Sequence, residues 1–296
     1  MQVAKRVEVS GRRLCNCPEN HLNCMTAKEW VKAQIGVWEV FYEGRDVRDK
    51  GIHPAVMPIT LARKVIELFT HRGELVLDPF NGIGTTLIAC NDLERNGIGF
   101  DINPTYCHVA KQRLSKNKIA SKTKQVVICD DARTIPEYLE PESLSLIFTS
   151  PPYANLLNRV RLNKSRRGDL RRNKQFLRVE QYSQDPKDLG TLEVERYSEE
   201  MKVIYARLLP LLKPRGHAVI NVPDMWWKSE RYGKRIPIHI SIYQSLIEAG
   251  YQLRNTIIWD RTNIVNKVGI FGWPSNYITM GTTFEYLLDF WRAPTD

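Results

Sequence analysis

Short apolar segments alternate with longer stretches of helical periodicity along most of this chain, and that order restricts the fold more than any other feature. The strand-like segments are residues 75–77, 97–100, 126–128, 144–148, 218–222, 253–259 and 283–291. Strands that alternate with helices favour a parallel sheet covered by helices on both faces. We therefore predict an α/β fold with a doubly wound, mostly parallel, seven-stranded sheet.

The helical patterns and the chain length indicate the domain organisation. Helical spacing of apolar residues, with Thr26 as a plausible N-cap, predicts helices at about 26–41, 61–69, 85–93, 106–114, 193–212 and 238–249. A chain of 296 residues with 43% apolar and 26% charged residues is typical of one globular α/β domain. We expect an N-terminal extension over 1–52 and one domain over 53–296, which includes an insertion at 154–200.

The sequence shows neither a membrane-spanning nor a secretory pattern. Every apolar run is shorter than the roughly 18 residues that a membrane span needs, so we expect no contact with a membrane. Residues 1–13 lack the apolar core of a secretory signal. Six cysteines in a chain of this length are too few for a disulfide framework. We expect a cytosolic protein with reduced thiols.

The positive charge is concentrated in one segment. The formal net charge is +10, and residues 159–178 hold nine basic residues against one acid, Asp169. Such a run is either a solvated, mobile loop or an arm that binds phosphates and releases their counterions. We favour nucleic-acid binding. The basic residues assigned to that contact are Arg159, Arg161, Lys164, Arg166, Arg167, Arg171, Arg172 and Lys174.

The turn at 78–86 joins a buried strand to a helix and has the composition of a ligand-binding loop. Ligands of open parallel sheets bind outside the carboxyl ends of the strands, where this turn lies. Gly82 and Gly84 allow the backbone to approach a ligand closely. Asp101 ends the next strand, 17 residues beyond Gly84, where a carboxylate can accept both hydroxyls of a ribose. The alternative is an ordinary tight turn, but the two strand-end acids favour a nucleoside-containing ligand.

A second motif, Thr-Ser-Pro-Pro-Tyr at 149–153, follows the predicted strand 144–148. Two successive prolines remove two N–H donors and hold the backbone extended, so that neighbouring carbonyls remain available as acceptors. Such an array suits a substrate amine, whose hydrogens need acceptors. The alternative is a plain exit from a strand into a loop.

Taken together, Asp-Pro-Phe-x-Gly-x-Gly-Thr-Thr at 78–86 and Thr-Ser-Pro-Pro-Tyr at 149–153 resemble the S-adenosylmethionine-dependent DNA amino-methyltransferases. These enzymes act on the exocyclic amine of cytosine or adenine. The stretch His-Pro-Ala-Val-Met-Pro at 53–58 is similar to the segment that precedes the cofactor loop in that family. The resemblance runs from about residue 20 to the C-terminus and excludes the basic segment. It implies a Rossmann-like methyltransferase fold.

The resemblance also assigns roles to individual positions. It implies that Asp101 takes the ribose hydroxyls of S-adenosyl-L-methionine and that Asp131 contacts the adenine amine. The full implied cofactor set is Pro54, Pro58, Asp78, Pro79, Phe80, Gly82, Gly84, Thr85, Thr86, Asp101, Asn103, Asp131 and Ala132. The implied catalytic set, which receives the target base, is Ser150, Pro151, Pro152 and Tyr153.

A mechanism follows from the chemistry of an aromatic amine. Its lone pair is delocalised, so hydrogen bonds to the Ser150 side chain and the Pro151 carbonyl would favour a pyramidal nitrogen and direct transfer of the methyl group. The base must leave the duplex to be reached, and Tyr153 would stack on it. Serine at 150 favours cytosine N4 for two reasons. In the family that the chain resembles, Ser at this position is associated with cytosine and Asp or Asn with adenine, and a hydroxyl can both donate and accept a hydrogen bond.

Other readings remain open at this point. The alternatives are an N6-adenine DNA methyltransferase, an RNA or protein amine methyltransferase, and a catalytically silent DNA-binding regulator. By family association, double-stranded DNA is the expected partner, and a cognate restriction endonuclease is a further one.

Three cysteines and a histidine lie close together near the N-terminus, at Cys15, Cys17, His21 and Cys24. Structural zinc sites usually contain Cys-x-x-Cys pairs, and the Cys-x-Cys spacing here is strained for one metal. We interpret the segment as a surface loop with ordinary thiols and predict no metal.

Overall fold

The computed structural model of the protein describes residues 5–49, 53, 56–117, 122–157, 185–228, 233–263, 280 and 282–294. The basic residues assigned to nucleic-acid contact, from Arg159 to Lys174, lie outside these ranges, and so does Pro54. The α/β class is confirmed, because the described residues form one eight-stranded, mostly parallel sheet and a separate two-stranded hairpin.

The strands, in chain order, are β1 (Val37–Glu39), β2 (Leu75–Asp78), β3 (Asn96–Asp101), β4 (Gln125–Cys129), β5 (Leu144–Thr149), β6 (Leu212–Val222), β7 (Met225–Lys228), β8 (Gly233–Ile236), β9 (Gln252–Asp260) and β10 (Phe284–Trp291). The helices are α1 (Ala27–Ala33), α2 (Gly44–Asp49), α3 (Ile59–Phe69), α4 (Thr85–Asp92), α5 (Pro104–Lys116), α6 (Val194–Leu208) and α7 (Ile238–Glu248).

The strand order in the large sheet is β1-β9-β10-β6-β5-β2-β3-β4. β10 runs antiparallel to both of its neighbours, and the other recorded pairs in this sheet are parallel. β2 lies between β3 and β5, so the chain order reverses around it. The carboxyl ends of these three strands therefore meet at one edge, which is the usual place for a ligand in such a sheet.

Alternation along the central strands produces two apolar layers, one on each face of the sheet. Leu75 and Leu77 of β2 pack in the layer that contains Tyr197 and Ile204 of α6. Val76, between them, packs in the opposite layer with α3 and α4. Full burial of each such side chain contributes about 1.5–3 kcal/mol relative to exposure, so the two layers hold the sheet rigid beneath the site.

The eighth strand arises from the N-terminal extension. Our sequence analysis predicts one helix from Thr26 to about Phe41, and the helix begins as predicted, with a capping box between Thr26 and Glu29. It ends at Ala33, however, and β1 pairs in parallel with β9. Trp38 is 1% exposed while its two neighbours in β1 are exposed. That period of two fits a strand at the sheet edge and not a helix.

The helix predicted over 193–212 is also shorter than expected. It ends at Leu208 and continues as a 3₁₀ turn, Leu209–Leu211. Pro210 lies in that turn and lacks the N–H that a continuing α-helix needs. β6 then begins at Leu212, six residues before the predicted strand start at 218. Among the described residues, no helix is long and apolar enough to span a membrane.

Candidate active site

The turn between β2 and α4 is held open by two glycines. Gly82 and Gly84 have φ values of +49° and +83°, a region that other residues enter only with strain. A Cβ on Gly82 would lie 3.1 Å from His53 Nε2. The Gly82 N–H donates to Asp101 Oδ2 at 2.7 Å. This hydrogen bond fixes the turn to the carboxyl end of β3.

Asp101 is the second anchor of this edge. Its Oδ1 accepts a hydrogen bond from the Asn103 N–H at 2.8 Å, and burial raises its pKa to about 7. Asn103 caps α5, because its Oδ1 accepts from the N–H groups of Thr105 and Tyr106. The carboxylate is thus aimed by backbone contacts on both sides and can still accept further hydrogen bonds, since each oxygen has two lone pairs.

Asp78 joins the two sequence motifs directly. Its Oδ1 accepts from Thr149 Oγ1 at 2.6 Å and its Oδ2 accepts from Thr86 Oγ1 at 2.5 Å. The Phe80 N–H also donates to Oδ1, at 3.1 Å. Burial raises the pKa of Asp78 to about 6. Both oxygens already accept hydrogen bonds from the protein, so Asp78 braces the end of β5 against the β2–α4 turn.

The Thr-Ser-Pro-Pro-Tyr motif follows β5 at the same edge. Ser150 Oγ and Tyr153 Oη are 2.8 Å apart and share a hydrogen bond. Tyr153 is 7% exposed, and burial raises its pKa well above the ordinary tyrosine value. The phenol therefore stays neutral and acts as a hydrogen-bonding group for the serine hydroxyl.

One cavity of about 930 Å³, counted to its open mouth, connects these groups. It reaches from the β2–α4 turn past the end of β3 to the motif after β5. The predicted residues that line it are Asp78, Phe80, Gly82, Thr85, Thr86, Asp101, Asn103, Asp131, Ala132, Ser150, Pro151, Pro152 and Tyr153. Residues of both motifs therefore face one shared space.

Other predicted cofactor residues have different surroundings. Pro58 is the N-cap of α3, where its carbonyl accepts from the Leu61 and Ala62 N–H groups. Pro58, Pro79 and Gly84 are not among the residues that line the cavity. All three adjoin lining residues in the chain: Pro58 follows Met57, Pro79 precedes Phe80 and Gly84 precedes Thr85.

Asp131 lines the cavity, but both of its carboxylate oxygens already accept hydrogen bonds from Arg133. Its Oδ1 accepts from the Arg133 N–H at 2.9 Å, and its Oδ2 pairs with the Arg133 guanidinium at 2.7 Å. The same guanidinium also binds Glu200 of α6 at 2.7 Å. An amine contact from Asp131 would have to share these oxygens with Arg133.

Among the lining residues that are absent from the sequence-based set, Asn81 and Asp188 carry buried polar atoms without partners in the ranges that the structure describes. Asn81 is 5% exposed, and neither of its amide atoms has a hydrogen-bond partner among the described residues. Asp188 is 4% exposed; its Oδ1 accepts from the Gly190 N–H at 2.7 Å, and its Oδ2 has no partner within the described part of the chain. Buried polar atoms are rarely left unpaired, so both indicate a polar ligand.

An aromatic wall completes the cavity. The rings of His53 and Tyr106 are 4.7 Å apart between centroids, at an angle of 57°. Burial raises the pKa of Tyr106 to about 12, and the carboxylates of Asp101 and Asp188 act in the same direction. Carboxylates, the amide of Asn81 and an aromatic wall in one space suit a ligand with hydroxyls, a flat ring and a positive charge.

The DNA methylase family model N6_N4_Mtase matches residues 12–112 and 144–292 of this chain. The chain belongs to this family. The match includes both motifs and most of the sheet, and it confirms the family resemblance that the two motifs indicate. It begins within the N-terminal extension and thus includes β1, the strand that joins the sheet edge.

Curated relatives are similar over shorter stretches. The Type II methyltransferase M.BglI of Bacillus subtilis is 35% identical over 109 residues, which are 35% of this chain and 30% of that protein. The Type II methyltransferase M.HindIII of Haemophilus influenzae is 43% identical over 70 residues, 24% of this chain and 23% of that protein. The chain thus spans less than a third of these curated relatives.

Among solved structures, the chain is similar to the putative DNA modification methylase TTHA0409 of Thermus thermophilus in complex with S-adenosyl-L-methionine. The two are 22% identical, with a TM-score of 0.36, over 56% of this chain and 54% of that one. A methyltransferase from Pyrococcus furiosus is 15% identical, with a TM-score of 0.46, over 84% of this chain and 94% of that one.

Proposed function

We propose that this chain transfers a methyl group from S-adenosyl-L-methionine to the N4 amine of cytosine in a base flipped out of duplex DNA. The observation that carries the proposal is the single cavity shared by Asp101 and the Thr-Ser-Pro-Pro-Tyr motif. A donor at one end and an amine at the other would meet inside it. Membership of the DNA methylase family supports the same activity.

The cavity chemistry fits the cofactor. S-adenosyl-L-methionine supplies an electrophilic sulfonium methyl group when it is bound. Asp101 is the proposed acceptor for its ribose hydroxyls, and Asn81 and Asp188 carry buried polar atoms that need partners. The wall formed by His53 and Tyr106 offers an apolar surface to the adenine ring.

The charge of the cavity supports the same assignment. Asp78, Asp101 and Asp188 all line it, and the proximity of Asp78 and Asp188 contributes to the raised pKa of Asp101. Arg133 and Lys187 also line the cavity, but the aspartates outnumber them, so a cationic ligand would lessen the remaining repulsion. A sulfonium ion carries a positive charge, whereas its demethylated product does not.

At the other end of the cavity, Ser150 is the proposed acceptor for the substrate amine. Its hydroxyl bonds to Tyr153 Oη, so the phenol holds the serine oxygen in place while a lone pair remains for the amine. The carbonyl of Pro151, which lines the same cavity, would take the second hydrogen. The protein then acts by positioning and by hydrogen bonding to the developing charge. With S-adenosyl-L-methionine bound, its sulfonium would supply the methyl group, and the amine proton would leave to solvent.

The choice of cytosine over adenine depends on Ser150. A serine hydroxyl can donate to the ring nitrogen of cytosine and accept from its amine, whereas a carboxylate or amide oxygen suits the amine of adenine. The N6-adenine activity remains the alternative within the family. We further propose a role beside a restriction endonuclease of the same site, by analogy with the Type II methyltransferases M.BglI and M.HindIII.

The decisive experiment measures the product. The full chain is incubated with duplex DNA and S-adenosyl-L-methionine, and the digested nucleosides are separated by mass spectrometry. We expect N4-methylcytosine, and we expect Ser150→Ala to lower the rate by about 10²–10³ with cofactor affinity unchanged.

Each competing activity predicts a different result in that assay. N6-methyladenine alone would overturn the choice of base. Transfer to tRNA or protein in place of DNA would overturn the substrate class. DNA binding without any transfer by the wild-type chain would identify a silent regulator.

A further inference from the structure

Four metal-ligating side chains meet at the edge of the sheet opposite the active site. The sulfur atoms of Cys15, Cys17 and Cys24 and a ring nitrogen of His71 all lie within 4.8 Å of one another. The three cysteines are half-buried and His71 is buried. Our sequence analysis predicts no metal here and groups these cysteines with His21. In the structure, the histidine whose ring lies beside the cysteines is His71.

The hydrogen bonds of His71 define which ring nitrogen is available. Its Nε2 lies 2.9 Å from the His21 carbonyl oxygen, so Nε2 carries the hydrogen and donates it. Nδ1 is then the nitrogen with a free lone pair, and it lies 3.4 Å from Cys15 Sγ and 3.5 Å from Cys24 Sγ. In metal sites, the imidazole nitrogen that does not bind the metal usually donates a hydrogen bond, often to a carbonyl oxygen, and this hydrogen bond orients the ring.

The distances from His71 Nδ1 to two of the sulfur atoms are those of a tetrahedral zinc site. Zinc binds thiolate sulfur at about 2.3 Å and imidazole nitrogen at about 2.0 Å, so that tetrahedral nitrogen and sulfur ligands lie about 3.5 Å apart. The two measured nitrogen–sulfur distances match that value. The Arg72 N–H also donates to Cys24 Sγ at 3.4 Å, which offsets the negative charge of a thiolate.

We propose that Cys15, Cys17, Cys24 and His71 bind one structural zinc ion. The three thiols bind as thiolates and release their protons to solvent, so no oxidant or reductant is needed. Four protein ligands leave no open position for a substrate, which is the arrangement of a structural and not a catalytic zinc.

The position of the cluster indicates what the ion would stabilise. His71 lies in the turn between α3 and β2, at the amino end of the strand whose carboxyl end carries Asp78. The N-terminal segment already packs there: the Leu14 N–H donates to the Arg72 carbonyl at 2.7 Å, and Asn23 Nδ2 donates to the Leu68 carbonyl at 2.7 Å. Zinc would close a loop of residues 24–71 and fix the N-terminal segment against β2.

Metal analysis of the full chain tests the proposal. The protein is purified without chelators in a non-thiol reductant, and its zinc content is measured by inductively coupled plasma mass spectrometry. We expect one zinc per chain, and loss of that zinc in Cys15→Ser, Cys24→Ser and His71→Gln. Cys129→Ser and His108→Gln are matched controls, because both residues are exposed and outside the cluster, and they should keep the metal.

A measurement on the wild-type chain covers the case in which the variants fail to fold. Replacement by Co²⁺ should produce the intense visible absorption of a tetrahedral, thiolate-rich site, and removal of metal should lower the Tm until Zn²⁺, but not Mg²⁺, is restored. A reduced protein that takes up no Zn²⁺, unchanged zinc content in the double variant Cys15→Ser/Cys24→Ser, or a disulfide between these cysteines in the purified protein would each overturn the proposal. None of these readouts depends on methyl transfer, so they test the site separately from the proposed function.

Discussion

Asp78 and Asp101 end neighbouring strands in a poorly solvated site, and their protonation controls what the cavity can bind. Burial raises the pKa of Asp78 to about 6 and that of Asp101 to about 7. A protonated Asp101 loses both its negative charge and part of its capacity to accept hydrogen bonds from a ribose. We therefore expect the affinity of the cavity for the proposed cationic nucleoside to depend on pH close to neutrality.

We predict that affinity for S-adenosyl-L-methionine falls as the pH drops from about 8 to about 6, because binding then requires Asp101 to release a proton. Isothermal titration calorimetry at several pH values measures this directly. Asp101→Asn should bind weakly and with little dependence on pH. A constant wild-type affinity across that range would contradict the assignment of Asp101.

The same raised pKa values affect the stability of the empty protein. An acid whose pKa is higher in the folded than in the unfolded state destabilises the fold once it must ionise. We therefore predict that the contribution of Asp78 and Asp101 to the free energy of unfolding falls as the pH rises from about 4 to about 7. Urea unfolding of Asp101→Asn against wild type should show the difference shrinking at low pH, where both side chains are neutral.

Asp188 provides a second residue-scale prediction. Its Oδ1 accepts from the Gly190 N–H, which an asparagine oxygen can also do, while its buried Oδ2 has no partner among the described residues. We predict that Asp188→Asn keeps the fold and weakens cofactor binding by about tenfold, the equivalent of about 1.4 kcal/mol. Calorimetry gives the affinity and thermal unfolding gives the stability.

Asp185→Asn is the matched control for this variant, because Asp185 lies three residues earlier, accepts from the Lys187 N–H and is absent from the cavity lining. It should leave cofactor affinity unchanged. Equal losses in both variants would mean that Asp188 acts on the local turn and not on the ligand.

At the scale of elements, the start of α4 determines the shape of the β2–α4 turn. Thr85 to Cys90 are all buried, so α4 cannot shift to relieve strain in the turn before it. Gly84 is the N-cap, with φ +83°, and a Cβ there would lie 3.0 Å from Ala110 Cβ of α5. A side chain at 84 would meet both an unfavourable backbone conformation and a packed neighbour.

We predict that Gly84→Ala lowers the free energy of unfolding by about 1–3 kcal/mol, because a left-handed conformation and the contact with Ala110 both oppose it. Chemical denaturation measures the change. Gly36→Ala is the control, since nothing lies within 4 Å of a Cβ at that position. Equal stability of the two variants would show that the turn relaxes without cost.

β1 shows how an element can be misassigned from its sequence. Helical spacing of apolar residues continues past Ala33, and the strand is only three residues long, so the local pattern favours a helix. Pairing with β9 and burial of Trp38 beneath Lys64, whose ammonium lies 4.4 Å from the indole ring, decide in favour of a strand. Tertiary hydrogen bonds and burial outweigh a weak local preference.

At the scale of the whole molecule, the densest run of positive charge lies in a part of the sequence that is distinct from the residues of the cavity. Four aspartates and two basic residues, Arg133 and Lys187, line the cavity, whereas residues 159–178 hold nine basic residues against one acid. A polyanion would be attracted to the basic segment and repelled by the cavity, which would admit a neutral base and a cationic cofactor. This separation is consistent with the proposed division between DNA contact and chemistry.

We predict that Arg171→Gln with Arg172→Gln weakens DNA binding and lowers the slope of log K against log salt by about two, near one per lost phosphate contact. Fluorescence anisotropy at several salt concentrations measures the slope. Lys28→Gln with Lys32→Gln, on the exposed surface of α1, removes the same charge outside the basic segment and should leave the slope unchanged. The same decrease in both variants would indicate a response to net charge alone.

The fold class and the two motifs of the site could be predicted from the sequence, because they depend on short-range patterns. The short apolar runs at 75–77 and 144–148 predict buried strands, and glycines in the turn at 78–86 predict positive φ; both are found. Strand-end acids in a parallel sheet must meet at one edge. Asp101 and Ser150 therefore line the same cavity, as the spacing of motifs along the sheet indicates.

Contacts between distant segments were decided only by the tertiary structure. Nothing in the sequence near Asp188 indicates that it reaches the cavity, and nothing near His71 indicates that it lies beside Cys15 and Cys24. Such pairs form because the packed sheet brings together segments that are far apart in the chain, and local spacing carries no information about that distance. Hence the residue types and turns of the site can be predicted from the sequence. Only the assembled fold decides that Asp188 lines the cavity and that His71 lies beside the cysteines as the fourth proposed zinc ligand.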